Sequence, residues 1–471
     1  MDYGWLSVLP PVLAIVLAIW TRQVYVSLFL GIWFGWTILS AWNPVTGLAK
    51  AVQACIGVFQ DAGNTRVVIF SLFVGALIML MQRSGGVQGF INLMLQRKLV
   101  RSRRAANLFA SAIGTLIFVE SNITCLITGT VSRPIFDKFK ISRERLAYVC
   151  DSTSAPVCIL MPLNAWGAFV MGLLSKQGLQ DEASLFLAAW PFDFYAFLAY
   201  FLVILTSLTG KDIGPMKKAE FRAMNEGKVL ADGAIPVISE EVTLVAPKQG
   251  VPARARNMLV PVAVMVLMMP VGLAITGHGD LTAGSGSTAV LWGVLAAVIV
   301  GSVMYRMQKI LTGHELTNLI IKGMGGLVPL ASLMVFAFAI GDMTRVLGTG
   351  EFVAGVASET LSPIYLAAIV FIATAFIAFS TGTSWGTWAV MMPIAIPTAV
   401  AMDVSLPLTV GAVLSGGIFG DHSSPISDTT LVSSMSAASD HIDHVKTQLP
   451  YAMIAGSISL ILYLIFGLIL H

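Results

Sequence analysis

Residues 420–430 read Gly-Asp-His-Ser-Ser-Pro-Ile-Ser-Asp-Thr-Thr and follow an apolar run that begins near residue 408. Two carboxylates and a row of hydroxyls thus lie in a segment that its neighbours would place in a membrane. A charge at the centre of a bilayer costs about 2.5–3.5 kcal/mol on insertion scales, so such charges are rare unless functional. Carboxylate, hydroxyl and carbonyl oxygens are the ligands of hard cations. The stretch therefore predicts an alkali-cation site; the alternative is a solvated loop at a membrane face.

The composition of the whole chain indicates a polytopic membrane protein. Of its 471 residues, 56% are hydrophobic and only 11% are charged, against about 25% charged residues in soluble domains. Apolar runs recur from Trp5 onward, and about 20 apolar residues are enough to cross a bilayer. No basic region or cleavage site marks a secretory signal at the N-terminus. The four cysteines form no Cys-x-x-Cys pair and are expected to be free thiols.

Ten membrane spans are predicted, at about 5–20, 24–41, 66–82, 146–175, 185–208, 257–276, 288–304, 326–341, 408–435 and 448–470. Segments 105–132 and 363–400 are longer and are interrupted by small polar residues, which favours paired spans or re-entrant hairpins. Such irregular backbone survives at membrane depth only when it is buried in protein or lines a wet cavity. Span 146–175 is expected to break at Pro156 and Pro162, and span 408–435 at Gly416-Gly417 and Pro425.

The sequence divides into two similar halves joined by a polar linker. The predicted units are residues 1–208, the linker 209–256 and residues 257–471. Three motifs recur in the same order: Met81-Gln82-Arg83 with Met343-Thr344-Arg345, Phe118-Val119-Glu120-Ser121-Asn122 with Phe379-Ser380-Thr381-Gly382-Thr383, and Asp151-Ser152-Thr153-Ser154 with Asp421-His422-Ser423-Ser424. Three echoes in one order predict an internal repeat.

Loop charge predicts that the two repeats have opposite orientations. Loops 83–104 and 133–145 hold six and five Lys/Arg residues, whereas their counterparts, 345–362 and the loop near Asp403, hold one and none. Because cytoplasmic loops carry the Lys/Arg excess, corresponding loops are expected on opposite sides. The predicted fold is an all-α polytopic membrane protein with two inverted-topology repeats, broken helices, re-entrant hairpins and a cytoplasmic linker. Secondary transporters typically have this architecture, with a binding site near the membrane midplane.

The region from Phe419 to Ser434 resembles the signature of the NhaC family of Na+/H+ antiporters. Motif-level likeness extends over 118–164 and 379–435, and the repeat layout covers essentially the whole chain. The resemblance implies exchange of Na+ for H+, and some relatives exchange organic acids such as malate and lactate together with Na+ and H+. Within the region, the candidate ion-binding residues are Asp421, His422, Ser423, Ser424, Ser427 and Asp428, with Asp151 as the first-half mate of Asp421.

Two polar turns supply the other candidates, and both resemble the Ser-Asn-Thr hairpin tips that hold Na+ in related carboxylate transporters. The first tip contains Glu120, Ser121, Asn122 and Thr124, and the second contains Ser380, Thr381, Thr383 and Ser384. Gly382 stands where Asn is expected, so the tips should not be equivalent. The direct Na+ ligands are predicted to be Asp421, Asp428, Asn122 and Thr383. A Ser/Thr-rich helix packing seam is the alternative for each tip.

These features predict a non-enzymatic transporter in the inner membrane of a bacterium. Its expected partners are Na+, H+ and the lipid bilayer, without a cofactor or nucleic acid, and a homodimer is left open. Three alternatives remain: a Na+-coupled transporter or exchanger of a small carboxylate or amino acid, an intramembrane enzyme using Asp421 and Asp428 as an acid pair, and a channel. Asp440-His441-Ile442-Asp443-His444 has metal-like spacing but is expected to be a solvated cytoplasmic loop.

Overall fold

The computed structural model describes residues 3–21, 23–96, 100–118, 120–162, 164–177, 182–236, 247–279 and 284–470. Over these ranges the fold is all-α, as predicted. The α-helices are α1 (Leu9–Thr21), α2 (Val24–Leu39), α3 (Pro44–Gly57), α4 (Ala62–Arg83), α5 (Gly86–Gln96), α6 (Arg103–Leu116), α7 (Ser121–Lys138), α8 (Arg143–Ser152), α9 (Ala155–Leu160), α10 (Ala165–Ser175), α11 (Glu182–Ala189), α12 (Phe194–Thr209), α13 (Gly214–Glu226), α14 (Arg256–Thr276), α15 (Gly286–Met307), α16 (Gly313–Gly326), α17 (Val328–Leu347), α18 (Thr349–Thr360), α19 (Leu366–Thr381), α20 (Ser384–Ala401), α21 (Leu406–Ser423), α22 (Asp428–Ala437) and α23 (His441–Ile469).

Six described helical segments are long and apolar enough to cross a membrane, and the number rises to eight if each of two bent helix pairs is one span. This is fewer than the ten spans predicted. One reason is that α1 and α2, predicted as spans, are only 13 and 16 residues long. Another is that the predicted spans 146–175 and 408–435 are divided among shorter helices.

The positions of the helix breaks follow the prolines. Span 146–175 is divided into α8, α9 and α10, and span 408–435 into α21 and α22 on either side of Pro425. The predicted break at Gly416-Gly417 is wrong, because α21 runs through it. A Cβ on Gly416 would lie 2.6 Å from the carbonyl oxygen of Phe371. Gly416 therefore allows α21 to pack closely against α19, and Gly417 allows it to pack closely against Trp388 of α20, and neither interrupts the helix.

The two segments that were left open as paired spans or hairpins each form a pair of helices. Segment 105–132 becomes α6 and α7, which turn at 117–120, and segment 363–400 becomes α19 and α20, which turn at 382–383. The helices of each pair contact one another. Both turns coincide with the polar tips identified in the sequence, although Val119 lies outside the described residues.

The helices pack as two bundles, and each bundle contains helices from both halves of the sequence. We call α4, α5, α14, α15 and α16 the frame bundle, and α6–α9, α12 and α19–α23 the core bundle. Helices α10 and α17 pack against both. In the frame bundle, α4 and α16 cross so closely that a Cβ on Gly75 would lie 2.3 Å from the carbonyl oxygen of Gly323. The two halves are thus interleaved.

The segments richest in positive charge meet at one end of the molecule, called here the basic end. Arg103 forms an ion pair with Glu220 of the linker. The Glu220 carboxylate also accepts a hydrogen bond from the backbone N–H of Ser142 (2.8 Å). Further along the linker, the backbone N–H of Lys248 donates to the carbonyl oxygen of Arg83 (3.1 Å). Loops 83–104 and 133–145 and the linker would have to lie close together in this way if all three are cytoplasmic. Arg97, Lys98 and residues 237–246 lie outside the described residues.

Residues 345–362 lie away from the basic end. Helix α16 begins at the basic end, where Lys248 pairs with Glu315 at 2.6 Å. Helices α16 and α17 then run to Leu347 with a bend of 46°. Beyond them, the Thr349 hydroxyl donates to the carbonyl oxygen of Ser7 near the N-terminus (2.8 Å). This placement fits the prediction that 345–362 and the basic loops face opposite sides.

Candidate ion-binding site

A cavity of about 340 Å³ lies where the two hairpin tips approach the break between α21 and α22. Its lining includes Tyr25, Glu120, Ser121, Asn122, Trp166, Gly326, Leu327, Pro329, Leu333, Thr381, Gly382, Thr383, Trp385, Asp421, Ile426, Asp428 and Thr429. The core bundle supplies both tips and both aspartates. The opposite wall comes from α2, α10 and the bend between α16 and α17. The structure therefore brings residues of both predicted tips and of the 420–430 motif into one chamber.

The two aspartates of the cavity are held differently. Asp421 is buried near the end of α21, and its Oδ2 accepts a hydrogen bond from the Ser384 hydroxyl (3.0 Å). Asp428 is the first residue of α22 and is exposed. Its Oδ1 accepts from the backbone N–H of Thr429 (2.8 Å), and its Oδ2 from the side-chain amide of Asn122 (3.4 Å). One carboxylate is thus enclosed, and the other is presented to the chamber.

Two buried oxygens at the cavity lack a hydrogen-bond partner among the described residues. They are Oδ1 of Asp421 and Oδ1 of Asn122. Buried polar atoms are nearly always satisfied, so an unsatisfied acceptor indicates an unfilled ligand position, an ordered water or strain. A carboxylate oxygen and an amide oxygen are both of the kind that binds a partly dehydrated hard cation.

The first tip is braced from behind by Asn164. Its side-chain amide donates to the carbonyl oxygens of Phe118 (2.9 Å) and Cys158 (2.7 Å). Its carbonyl oxygen accepts from the backbone N–H of Trp166 at the start of α10 (2.9 Å). One buried side chain therefore fixes both the tip and the helix that carries a wall residue of the cavity.

The second tip depends on a glycine. Gly382 has φ = +69°, a conformation that residues with a Cβ rarely adopt. A Cβ there would also lie 2.6 Å from the carbonyl oxygen of Ile426. The Ser424 hydroxyl braces this tip through the carbonyl oxygen of Phe379 (2.7 Å). Phe379 is the predicted repeat mate of Phe118, and the carbonyl oxygens of these two residues accept hydrogen bonds from Ser424 and Asn164, respectively. The asparagine expected at 382 would not fit, because its Cβ would meet the Ile426 carbonyl.

Several predicted site residues lie outside the cavity lining. The hydroxyls of Thr124 and Ser423 donate to backbone carbonyls of their own segments, and Ser427 caps α22. Ser380 also does not line the cavity. His422 is buried between the hydroxyls of Tyr195 (2.8 Å) and Ser152 (3.1 Å).

Asp151, the predicted mate of Asp421, is also outside the cavity, in a second buried polar cluster. Its Oδ2 accepts from the Thr430 hydroxyl (3.0 Å) and from the side-chain amide of Gln448 (2.6 Å). His444 Nε2 lies 4.0 Å from the same oxygen. The mates Asp151 and Asp421 therefore occupy different surroundings, which the repeat alone could not show.

The prediction of a solvated loop at 440–444 is wrong. Asp440 caps α23, which begins at His441, and His444 is fully buried one turn later. The start of α23 packs against α8 and α22. The Ser434 hydroxyl of α22 contacts both His441 and His444. Over the described ranges, no three His, Cys, Asp or Glu side chains are grouped as a metal site. The spacing therefore marks a buried helix start.

Three aromatic wall residues were not predicted. Tyr25, Trp166 and Trp385 line the cavity, and the rings of the two tryptophans lie 5.0 Å apart. Trp385 follows Ser384 directly in the second tip, so an aromatic residue inside a polar turn was an available signal. Tyr25 and Trp166 gave no such signal, because each lies in an ordinary apolar run and reaches the cavity only through packing.

Broken helices with paired tips and three acidic residues around one chamber are typical of a secondary transporter. A sequence model described as "Na+/H+ antiporter family" matches residues 157–468. The chain belongs to this family, as the resemblance to NhaC proteins predicted. It is thus a multi-pass membrane protein.

Other comparisons agree with this assignment. An uncharacterized protein of Haemophilus influenzae is 31% identical, and the alignment covers 98% of this chain and 90% of the relative. The arginine/ornithine antiporter ArcD of Halobacterium salinarum is 29% identical over 45% of this chain and 41% of its own length. Among solved structures, the Alcanivorax borkumensis YdaH transporter superposes with a TM-score of 0.58 at 14% identity, covering 89% of this chain and 88% of that one. At this identity, YdaH supports the fold alone.

Proposed function

We propose that this protein exchanges Na+ for H+ across the bacterial inner membrane. One observation carries the proposal: a single cavity is lined by three acidic side chains and an amide, and among the described residues Oδ1 of Asp421 and Oδ1 of Asn122 are buried without a hydrogen-bond partner. Ionised carboxylates and neutral oxygens suit Na+. Protonation removes the negative charge that attracts the cation. Na+ and H+ would therefore compete for the same groups, and competition at one site gives exchange when the occupied site can face either side in turn.

The position of the cavity suggests how the site could face either side in turn. Its tips and aspartates belong to the core bundle, whereas Leu327 and Leu333 lie at and beyond the bend that leads away from the frame bundle. In transporters of this architecture, alternating access arises when one bundle moves against the other around a fixed site. We expect the two bundles, rather than the two sequence halves, to be the moving bodies.

The direct test is flux in proteoliposomes that contain the purified protein and a trapped pH indicator. An imposed Na+ gradient should move protons in the opposite direction, and an equal choline gradient should not. Protein-free liposomes control for leak. Absence of any Na+-dependent proton movement, in protein shown to be folded, would contradict the proposal.

A second candidate is exchange of an amino acid. The cavity volume lies at the small end of the range for organic ligands, roughly 300–1,000 Å³, and exceeds the needs of a bare ion. Its described lining contains three acidic residues and two tryptophans but no Lys, Arg or His. Carboxylates and indole faces favour a cationic group. A basic amino acid therefore suits this wall better than a small carboxylate does, and ArcD is named for such substrates.

Substrate competition separates the two candidates. Arginine, ornithine, malate and lactate would each be offered to the same proteoliposomes as unlabelled competitors and as labelled substrates. Saturable uptake of labelled arginine that requires Asp421 would favour the amino acid exchanger. Na+-driven proton movement without uptake of any of the four compounds would favour the ion exchanger.

A further inference from the structure

A buried chain of hydrogen bonds lies behind the cavity, near the basic end. His441 Nδ1 and His444 Nδ1 both contact the hydroxyl of Ser434, at 3.0 and 2.8 Å. His444 Nε2 contacts Oε1 of Gln448 at 3.0 Å, and the Gln448 amide nitrogen reaches Asp151. His441 is partly exposed, whereas the other four side chains are buried. The chain thus runs from an accessible imidazole to an enclosed carboxylate.

The neighbours fix the orientation of the Gln448 amide. Its nitrogen lies 2.6 Å from Asp151 Oδ2 and 2.7 Å from the carbonyl oxygen of His422. The backbone carbonyl of His422 can only accept, so the nitrogen must lie there and the amide oxygen must face His444. Because that oxygen is also only an acceptor, Nε2 of His444 carries a hydrogen. By the same reasoning Nε2 of His441 carries one, since it lies 2.6 Å from the carbonyl oxygen of Pro425.

Counting hydrogens then shows that the chain is incomplete without an additional proton. With Nε2 protonated, a neutral imidazole can only accept at Nδ1. The Ser434 hydroxyl has one hydrogen, yet it contacts two Nδ1 atoms and the carbonyl oxygen of Thr430 (2.9 Å). One hydrogen cannot serve both imidazoles. The two imidazole contacts are both hydrogen bonds only when at least one imidazole is protonated at both nitrogens, and the contact to Thr430 is added only when both are.

We propose that His441, Ser434 and His444 form a proton-binding site, separate from the cation cavity, that takes up one proton from the basic end. The proton first resides on His441 Nδ1. It passes to Ser434 Oγ as the serine hydroxyl hydrogen passes to His444 Nδ1, so the hydroxyl is restored and no charge is created. The resulting imidazolium lies 4.0 Å from the Asp151 carboxylate. Asp151 Oδ1 has no partner among the described residues.

Two contacts link this site to the cavity. Thr430, whose hydroxyl binds Asp151, belongs to α22, the helix that begins with Asp428. Gln448 holds the carbonyl oxygen of His422, which directly follows Asp421. A change in charge at His444 therefore acts on both ends of the break that carries the cation ligands. This coupling rests on the proposed exchange, whereas the proton site itself does not.

Other ionisable groups lie on the helices packed around the histidine pair and Asp151 and would contribute to the titration of this cluster. On the packed elements they are Cys125 of α7, Arg143, Tyr148 and Cys150 of α8, Tyr195 of α12, Asp421 and His422 of α21, Asp428 of α22, and Asp443 of α23. Asp440, at the start of α23, contacts the linker at Ile235 (3.0 Å). A test of the relay therefore needs variants that change a non-ionisable residue, such as Ser434, and leave all of these groups in place.

The proton site can be tested without transport, by 15N NMR of histidine side chains in the protein reconstituted in nanodiscs. Signals would be assigned with His441→Gln and His444→Gln, and exposed His314 serves as the internal reference. At a pH where His314 is neutral, we expect one imidazole of the pair to retain hydrogens on both nitrogens. Two neutral imidazoles under those conditions would overturn the proposal.

A transport arm uses two matched serine variants of α22. Ser434→Ala removes the relay hydroxyl, whereas Ser436→Ala removes a similarly buried hydroxyl of the same helix, which donates to the carbonyl oxygen of Ser433 (3.1 Å) and contacts neither histidine of the pair. Proton transfer through a positioned group contributes about 10²–10⁴-fold, so Ser434→Ala should slow Na+-driven proton movement at least tenfold. Ser436→Ala should not. If wild type shows no exchange, the proposed function fails while the NMR result still stands; equal rates in both variants would exclude the relay.

A second inference comes from a separate pocket of about 660 Å³ at the basic end, where α12 meets α13. Its lining includes Arg103, Arg104, Arg145, Lys211 and Lys217. Two of these are neutralised: Arg145 pairs with Asp212 (2.9 Å) and Arg103 with Glu220. Across the described residues, no carboxylate lies within ion-pair distance of the other three. The pocket therefore has a net positive charge.

Exposed apolar side chains flank the pocket. Phe221 and Met224 of α13 line it and are 62% and 53% exposed. Phe201 and Leu208 of α12, which leads up to it, are 57% and 50% exposed. Basic pockets beside membrane helices on the cytoplasmic side bind anionic lipid headgroups. We infer that this pocket holds an anionic phospholipid, with its phosphate at Arg104, Lys211 and Lys217.

Lipid binding would be measured by native mass spectrometry of the detergent-purified protein titrated with phosphatidylglycerol. Phosphatidylcholine and inorganic phosphate form the parallel arms. The double variant Lys211→Gln/Lys217→Gln should lose at least half of the bound phosphatidylglycerol, whereas Lys309→Gln/Lys322→Gln, with the same charge change elsewhere, should not. Equal retention in both, or equal binding of phosphatidylcholine, would overturn the lipid site. Displacement by inorganic phosphate would make it a free-anion site.

Discussion

Asp421 and Asp428 occupy the two ends of one helix break, and each is a candidate for both cation binding and proton binding. We predict that Asp421→Asn and Asp428→Asn each abolish Na+-driven proton movement, because an amide keeps the shape of the side chain but cannot release a proton near neutral pH. Thermal unfolding of the purified variants should stay close to wild type. Asp232→Asn, in the exposed linker, is the matched control. Normal exchange with unchanged Na+ affinity in both site variants would reduce the motif to a structural role.

The neutral ligands should differ in kind from the carboxylates. Asn122→Ala and Thr383→Ala each remove an oxygen that binds a cation but takes no proton at physiological pH. Losing one buried polar contact costs about 1–3 kcal/mol, or roughly a five- to two-hundred-fold rise in half-saturating Na+. The pH dependence of exchange should persist. Proteoliposome rates across a Na+ series at several pH values provide the measurement, and a lost pH dependence would argue against separate roles.

At the scale of elements, the second tip offers a clean comparison between two glycines. Gly382 and Gly250 have φ = +69° and +78°, so an alanine at either position carries similar backbone strain, about 1–2 kcal/mol. Only at Gly382 would the added Cβ meet another atom, the Ile426 carbonyl oxygen at 2.6 Å. We predict that Gly382→Ala abolishes exchange, whereas Gly250→Ala retains it. Equal activities would show that the tip position is not critical.

The brace of the first tip gives another prediction at this scale. Asn164→Ala would release the carbonyl oxygens of Phe118 and Cys158 together with the N-terminus of α10. We expect the apparent Na+ affinity to fall about tenfold or more, since the loss involves several buried contacts of about 1 kcal/mol each. Asn164→Asp retains the acceptor but loses both donors, and should show the same defect. An unchanged Na+ affinity in both variants would remove Asn164 from the positioning machinery.

The sequence was most informative about where helices break and least informative about what packs behind the breaks. Pro425 and the polar tips predicted interruptions, because proline and unpaired hydroxyls have local effects on backbone bonding. The pair Gly416-Gly417 was misinterpreted, since a glycine that permits close packing looks like one that ends a helix. His444 was missed because its burial depends on α8 and α22. Tyr25 and Trp166 reach the cavity only through tertiary packing.

At the scale of the whole molecule, the arrangement of the basic loops predicts sidedness. In a variant with Cys55→Ala to remove the partly exposed native thiol, Lys218→Cys and Glu359→Cys would be labelled separately with a membrane-impermeant maleimide. We expect Lys218→Cys to react only from the cytoplasmic side and Glu359→Cys only from the outside, because their segments lie at opposite ends. Labelling of both from one side would contradict the predicted inverted repeat and the proposed site shared between its halves.

Interleaving predicts how the chain responds to division at the linker. Each bundle contains helices from both sides of it, so neither residues 1–236 nor residues 247–471 can complete a bundle alone. Co-expressed, the two fragments should co-purify as a folded complex. Expressed alone, each should aggregate or be degraded. A monodisperse, stable single fragment in size-exclusion chromatography would show that the bundles are less interdependent than their packing indicates.

The close crossing of α4 and α16 has a further consequence for synthesis of the protein. Helix α4 emerges from the ribosome long before α16, yet the surface around Gly75 is shaped to receive the backbone of Gly323. The early helices must therefore remain in the membrane with part of their packing surfaces unpaired until the helices of the second half are inserted. Completion of the fold is a late event, and a nascent chain that stalls within the linker would hold the most vulnerable intermediate.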